Sequence, residues 1–230
     1  TGHTCSYVGA MSGEYAEGNE NTAIGYYSMR SQNGSGTGSY NTAIGNESLE
    51  LLTSGEQNCA IGRMCLHSLT TGDYNVAVGN RSGDAITTGD NNTFVGYNSG
   101  YSTTSDSNTG IGHKALHANT TGSINTAVGR DSLLSNTTGG GNSALGYYSL
   151  GTNTTGQKNS AFGYNALGLT TTGSYNVGIG HSSLLYNTTG ESNVAIGHEA
   201  LFNNTASWNI AVGYQANKAI TSGSTNIGIG

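Results

Sequence analysis

Asn21-Thr22-Ala23-Ile24-Gly25 and Asn41-Thr42-Ala43-Ile44-Gly45 are one five-residue phrase written twice. Relaxed versions of it run through the whole chain, closing at Gly9, Gly25, Gly45, Gly62, Gly79, Gly96, Gly112, Gly129, Gly146, Gly163, Gly180, Gly197, Gly213 and Gly230. Most of these glycines are 17 residues apart; three intervals are 16 and one, from Gly25 to Gly45, is 20. A unit this short cannot hold two packed helices, and its apolar residues form no helical stripe. They come in clusters of two or three between Gly, Asn, Ser and Thr, the pattern of very short strands bounded by turns. The economical architecture is all-β: a parallel β-solenoid, or β-roll, with one unit per coil and coils stacked about 4.8 Å apart. Residues 1–230 then form a single array of about 13 coils of 17 residues.

Counting from the asparagine, the unit reads N-T-A-I-G-x-x-S-L-x-x-N-T-T-G-x-x, and each fixed position becomes a column. Position 1 is Asn21, Asn41, Asn58, Asn75, Asn92, Asn108, Asn125, Asn142, Asn159, Asn176, Asn193, Asn209 and Asn226, with Cys5 in the first copy. Stacked amides of this kind hydrogen-bond from coil to coil. Gly at position 5 marks a bend with positive φ or a crowded backbone approach. The Asn-Thr-Thr-Gly segment supplies the opposite corner. The coil of 20 residues carries an insertion at Asn33-Gly34-Ser35-Gly36, which places length variation on the corner side. Position 4 is always Ile, Val, Leu or Phe, and these aliphatics are expected to fill the coil interior. Adjacent strand residues point to opposite faces. The small residues at position 3 are therefore expected on the outer face, covered by another chain. Position 9 is mostly Leu, but Gly at Gly13, Gly83 and Gly100 and Asn at Asn217.

Composition excludes several classes. The 230 residues include 38 glycines and no proline, and charged residues make up 9% with a formal net charge of −6. The glycines do not recur every third residue, so the chain is not collagen. Seven Lys and Arg leave no basic patch for nucleic acid. No apolar run is long enough to insert in a membrane. Three cysteines are too few for a disulfide scaffold. The chain opens in a corner motif and stops at the end of a wall motif, and so reads as an excerpt of a longer fibre.

The phrase Asn41-Thr42-Ala43-Ile44-Gly45-Asn46-Glu47-Ser48-Leu49 resembles the head repeats of trimeric autotransporter adhesins. It is also similar to Asn-Thr-Ala-Ile-Gly arrays in bacterial surface proteins and phage tail fibres. The resemblance covers essentially the whole chain. It implies a left-handed homotrimeric β-roll acting as the stalk or head of a surface fibre, outside the cell or on a virion. Partners are then further copies of the chain, together with surface glycans or a host receptor. Adhesin heads repeat at a shorter period than the 17 residues here.

No arrangement of residues points to catalysis or to a cofactor, since the recurring Gly-x-x-Ser belongs to the repeat and the acidic residues read as scattered. Position 6 is the notable surface column: Tyr147, Tyr164, His181, His198 and Tyr214 fall in successive coils. Such a strip either stacks on itself or offers platforms to sugars, and His181 over His198 is a weak candidate to share a metal. Tyr40, Tyr74, Tyr175 and Trp208 form a partial second column at position 17. N-glycosylation sequons sit at the corners, at Asn119, Asn136, Asn153 and Asn187, with others at Asn33, Asn46, Asn80, Asn91 and Asn203. Cys59 and Cys65 lie in one coil, either as a disulfide or as small buried residues. Three function classes follow: a structural and adhesive fibre segment, an ice-binding solenoid using stacked Thr, and a carbohydrate-binding module using the position-6 column.

Overall fold

The computed structural model describes residues 4–31 and 36–230. The Asn33 sequon and most of the loop insertion lie outside the described residues. The protein is an all-β parallel solenoid of about thirteen turns, its strands three residues long. The chain separates into two compact units, Thr1–Ile111 and Gly112–Gly230. The first contains β1 (Ser6–Val8), β2 (Thr22–Ile24), β3 (Thr42–Ile44), β4 (Cys59–Ile61), β5 (Val76–Val78), β6 (Thr93–Val95) and β7 (Thr109–Ile111). The second contains β8 (Thr126–Val128), β9 (Ser143–Leu145), β10 (Ser160–Phe162), β11 (Val177–Ile179), β12 (Val194–Ile196), β13 (Ile210–Val212) and β14 (Ile227–Ile229).

In both units the strands follow chain order in the sheet and pair in parallel with no slip in register. Thr42, Ala43 and Ile44 lie against Cys59, Ala60 and Ile61. Ser160, Ala161 and Phe162 lie against Val177, Gly178 and Ile179. The variable coil lengths therefore never reach the strands.

The Asn column forms the expected ladder, and it does so from inside the coil. Asn58 donates its backbone N–H to Asn41 Oδ1 at 2.9 Å, while its Nδ2 reaches the same oxygen at 3.1 Å and the carbonyl of Gly72 at 2.8 Å. The arrangement repeats at Asn75, Asn159, Asn176 and Asn193. Each amide thus joins the strand wall to the Thr-Thr-Gly corner and to the neighbouring coil. Cys5 keeps a weak version of the same pattern: its Sγ accepts from Asn21 N–H at 3.4 Å and donates to Gly18 O at 3.3 Å.

The facing of the strand is the reverse of the sequence expectation. Position 3 points inward: Ala23, Ala43, Ala60, Ala77, Ala127, Ala161, Ala195 and Ala211 are fully buried. Position 4 points outward, and Ile24, Ile61, Ile111, Phe162, Ile179, Ile196 and Val212 are 37–41% exposed. The cause is volume. Leucines at position 9, from Leu49 to Leu201, are wholly buried and fill the coil from the opposite wall. A Cβ built on Gly178, at position 3, would already lie 3.2 Å from Leu167 Cγ. The strand side has room for a methyl group and no more.

Two coils break this rule, and each break is compensated. Phe94 takes position 3 where the position-9 residues around it are Gly83 and Gly100. A Cβ on Gly100 would sit 2.5 Å from the Phe94 ring, and one on Gly83 2.8 Å from Leu66 Cδ2 and 3.3 Å from Phe94. Tyr7 stands over Gly13 in the same way, at 2.5 Å. A large side chain from the strand replaces the leucine from the turn. Ile86, the shifted apolar residue of the coil containing Gly83, is fully buried.

The turn that delivers the leucine needs unusual backbone. Position-9 leucines adopt φ of +47° to +55°, and positions 7 and 17 are left-handed as well, as in Tyr148 and Tyr175. Bulky side chains rarely accept this conformation. It persists where ladder bonds above and below fix the chain. At position 5, Gly163 has φ +140°, and a Cβ there would lie 2.6 Å from the carbonyl oxygen of Gly180. Both expected reasons for this glycine apply together.

Candidate functional site

The surface columns carry whatever chemistry the solenoid offers. Position 6 of the second unit is a continuous stack. Ring centroids are 5.1 Å apart for Tyr147–Tyr164, 5.0 Å for Tyr164–His181, 5.0 Å for His181–His198 and 5.2 Å for His198–Tyr214. Interplanar angles are 8–18°. The Arg130 guanidinium continues the column at 5.8 Å from the Tyr147 ring. The strand spacing, close to the spacing of stacked rings, imposes this geometry. Ring faces within the stack are turned toward one another, which leaves a sugar only the edges. The geometry supports the self-stacking reading.

The same stacking disfavours a shared metal at His181 and His198. An ion about 2.0–2.1 Å from each nitrogen needs lone pairs that converge. Two rings 15° from parallel and 5.0 Å apart direct theirs side by side. His198 Nδ1 instead faces Glu199 Oε2 at 3.9 Å.

At position 17, Tyr40, Tyr74, Tyr175 and Trp208 stand 53–63% exposed. They alternate with non-aromatic residues such as Gln57 and Ser192, so no ring stack forms there. A shallow cleft of about 380 Å³ opens between Tyr40, Thr42, Gln57, Asn58 and Cys59.

The corner asparagines are not accessible sequons. Asn119, Asn136, Asn153 and Asn187 are fully buried. Asn136 Nδ2 donates to Asn119 Oδ1 at 2.7 Å and to Gly139 O at 2.9 Å, and Asn153 repeats this toward Asn136 and Gly156. They form a second internal amide ladder, so a glycan on any of these nitrogens would hold the coil open. Asn46, Asn80, Asn91 and Asn203 keep at least partial exposure.

The corner threonines spend their donors on the backbone. Thr120 Oγ1 donates to Thr137 O, Thr137 to Thr154 O, Thr154 to Thr171 O and Thr171 to Thr188 O, at 2.9–3.0 Å. This column offers water its oxygen lone pairs and little else, which weakens the ice-binding reading.

The three cysteines are free thiols. Cys65 packs as a small buried residue, and burial pushes its thiol up to about 12. Burial raises the Cys59 thiol as well.

The acidic residues are ordered rather than scattered, and sequence reading missed this. Glu56, Asp73, Asp90 and Asp106 share position 16 in successive coils. Each Asp oxygen accepts the backbone N–H of the residue one coil earlier, at 2.7, 2.8 and 3.0 Å. Position 10 alternates in sign. Arg30 Nε meets Glu14 Oε2 at 3.2 Å and its Nη1 lies 3.7 Å from Glu50 Oε1. His67 Nε2 lies 3.2 Å from Glu50 Oε2, and His67 Nδ1 lies 3.8 Å from Asp84 Oδ1. Burial raises the Asp84 carboxyl, against the opposing pull of His67, Arg81 and Arg63. At position 10 the signal was present as spacings of one coil, hidden because the residue type changes at every step.

Among the described residues, no helix is long and apolar enough to cross a membrane. No protein-family model matches the chain, and neither a curated protein nor a solved structure matches it.

Proposed function

We propose that this chain is a structural and adhesive segment of an extracellular or virion surface fibre. It acts as a rigid solenoid stalk or head whose working form is a left-handed homotrimer. The observation that carries the reading is the outward column of aliphatics. In each unit the strand wall turns Ile, Val, Leu or Phe to the outside at position 4. Val76 and Ile210 add to it from position 2 at 39% and 40% exposure. No charged residue occupies position 2 or 4 in any of the fourteen strands. A contiguous apolar strip of this kind marks an interaction face. Another copy of the same solenoid, with the same rise per coil, matches it residue for residue. The chain expected to cover this wall thus meets aliphatic side chains rather than the small residues of position 3. Three copies is the number that the adhesin resemblance implies.

The test is mass in solution. Sedimentation equilibrium at micromolar concentration should give three times the 23.4 kDa chain mass. The double variant I179D/I196D should sediment as one folded chain, because both side chains are already exposed in the single chain. A wild-type monomer would overturn the proposal.

A further inference from the structure

We infer that Glu47, Glu50 and His67 form a binding site for a divalent transition cation of the zinc, cobalt or manganese kind, spanning two successive coils of the first unit. Glu47 and Glu50 sit at positions 7 and 10 of one coil, and His67 occupies position 10 of the next. One donor atom from each lies within 4.8 Å of the other two. His67 Nε2 and Glu50 Oε2 are 3.2 Å apart. That is close to the edge of a tetrahedron whose centre is about 2.0–2.1 Å from each corner, roughly 3.3 Å. The mixed nitrogen and carboxylate set suits borderline transition ions; calcium and magnesium favour all-oxygen shells.

Two further features fit a cation better than a plain ion pair. First, the other nitrogen of His67 faces Asp84 Oδ1 at 3.8 Å, from a third coil. A carboxylate behind a ligating imidazole holds the proton on the far nitrogen and turns the near one toward the ion. Second, Glu47 has no cation of its own. Among the described residues, its carboxylate receives only a long bond from Asn46 Nδ2 at 3.4 Å. It nevertheless converges on Glu50, whose side chain is 8% exposed. Arg30 does not fill the site: its Nε is drawn to Glu14 at 3.2 Å and its guanidinium lies 4.3 Å from the Tyr27 ring centroid. Its contact with Glu50 is to Oε1, the oxygen turned away from His67. An alternating ladder with a charged His67 accounts for Glu50 and Asp84 but gives Glu47 no role. A dication gives all three carboxylates one. It would tie two coils together directly and a third through Asp84.

The experiment uses the full chain stripped with a chelator and titrated with cobalt and with zinc. One equivalent should bind with a dissociation constant of about 10 µM or tighter, cobalt giving a visible absorption band. Zinc should raise the melting temperature. Glu47→Gln and His67→Gln should each weaken binding by about tenfold or more and remove the zinc-dependent rise. Glu47→Gln is the decisive variant, because it breaks no ion pair and should not lower the metal-free melting temperature. A control, H181Q/H198Q, should bind as the wild type does. Absence of saturable binding, binding untouched by Glu47→Gln and His67→Gln, or loss of binding in the control would each overturn the proposal.

Discussion

Each unit has the same kind of strand wall, and the units differ in how the coil behind it is filled. At position 12 the first unit buries Leu52, Leu69 and Ile86, at 0–2% exposure. The second unit buries Asn119, Asn136, Asn153 and Asn187 at the same place, all fully enclosed. Position 10 carries Glu14, Arg30, Glu50, His67 and Asp84 before Tyr101 in the first unit, and runs His117, Leu134, Gly151, Gly168, Leu185, Phe202 and Lys218 in the second. In a solenoid the neighbour of a side chain is its counterpart one coil away. Choices are therefore made by column: a buried amide is satisfied when the next residue is also an amide, and an aliphatic when the next is aliphatic. Thr170 shows what a mixed column costs. It interrupts the Asn column of the second unit, and Asn153 Oδ1, which would accept from the next coil, is buried there without a hydrogen-bond partner, as is Thr170 Oγ1. Asn187 Oδ1 is left bare for a different reason, since Asn204 Nδ2 turns to Ala206 O.

The wall is of the same kind in both units, so Gly62→Val and Gly163→Val should cost about the same, roughly 4 kcal/mol or more each. Hydrogen exchange should report lost protection in the coils beside each substitution; an unchanged melt for either would remove backbone crowding as the constraint. Exchanging the fillers comes next. Leu69→Asn places an amide between Leu52 and Ile86 and should cost about 3–5 kcal/mol. Asn136→Leu strands Asn119 Oδ1 and an amide proton of Asn153 and should cost about 2–3 kcal/mol. Equal tolerance of both swaps, measured by urea denaturation, would show that the columns are not selective.

The third test is alkaline and confined to the first unit. Cys65 is raised in the fold from 9.0 to about 12. The unfolded thiol ionises first, so its contribution to stability is complete below pH 9 and is lost as pH climbs toward 12. The slope is about 1.4 kcal/mol per pH unit. Between pH 8 and pH 11 the wild type should lose about 2–3 kcal/mol more than Cys65→Ser, which carries the residue commonest at position 8. Parallel losses would mean that the thiol is hydrated in the native state. The smallest effect is a gain. Thr170→Asn should restore the interrupted ladder and add about 1–2 kcal/mol. A loss of stability would show that the amide column is not continuous in solution.

Much of the fold was legible in the sequence because the period is strict. Parallel pairing, the Asn ladder, the glycine bend and the corner followed from residues 17 apart. The facing did not. Ala43-Ile44 is apolar at both residues, so hydrophobicity cannot say which one turns inward; the space left by Leu49 and its column decides it. The left-handed turn residues were equally hidden, since nothing in the type of Leu150 or Tyr148 announces positive φ. At the surface, the position-6 column was read correctly as a column, but only the ring geometry shows its faces in use. The sequons misled because a three-residue motif carries no information about burial. The ion ladder at position 10 escaped because it conserves alternation of charge rather than residue type.

The pairing of Phe94 with Gly83 and Gly100 sets a limit on how such an array can grow or shrink. Adding or removing a whole coil keeps every other residue in register, so the filling between coils decides which joins are tolerated. Where every coil carries its own Ala and Leu, as around Ala144 and Leu150, a join leaves the filling between strand and turn intact, because each coil supplies both halves of it. Between residues 83 and 100 the filling of one coil is supplied by another. A deletion that removes the coil of Phe94 leaves a glycine facing an alanine and a hole in place of a ring. One that brings Phe94 against a leucine coil produces a collision. As far as filling goes, coils elsewhere can be added or removed one at a time, while residues 83 to 100 can be moved only together.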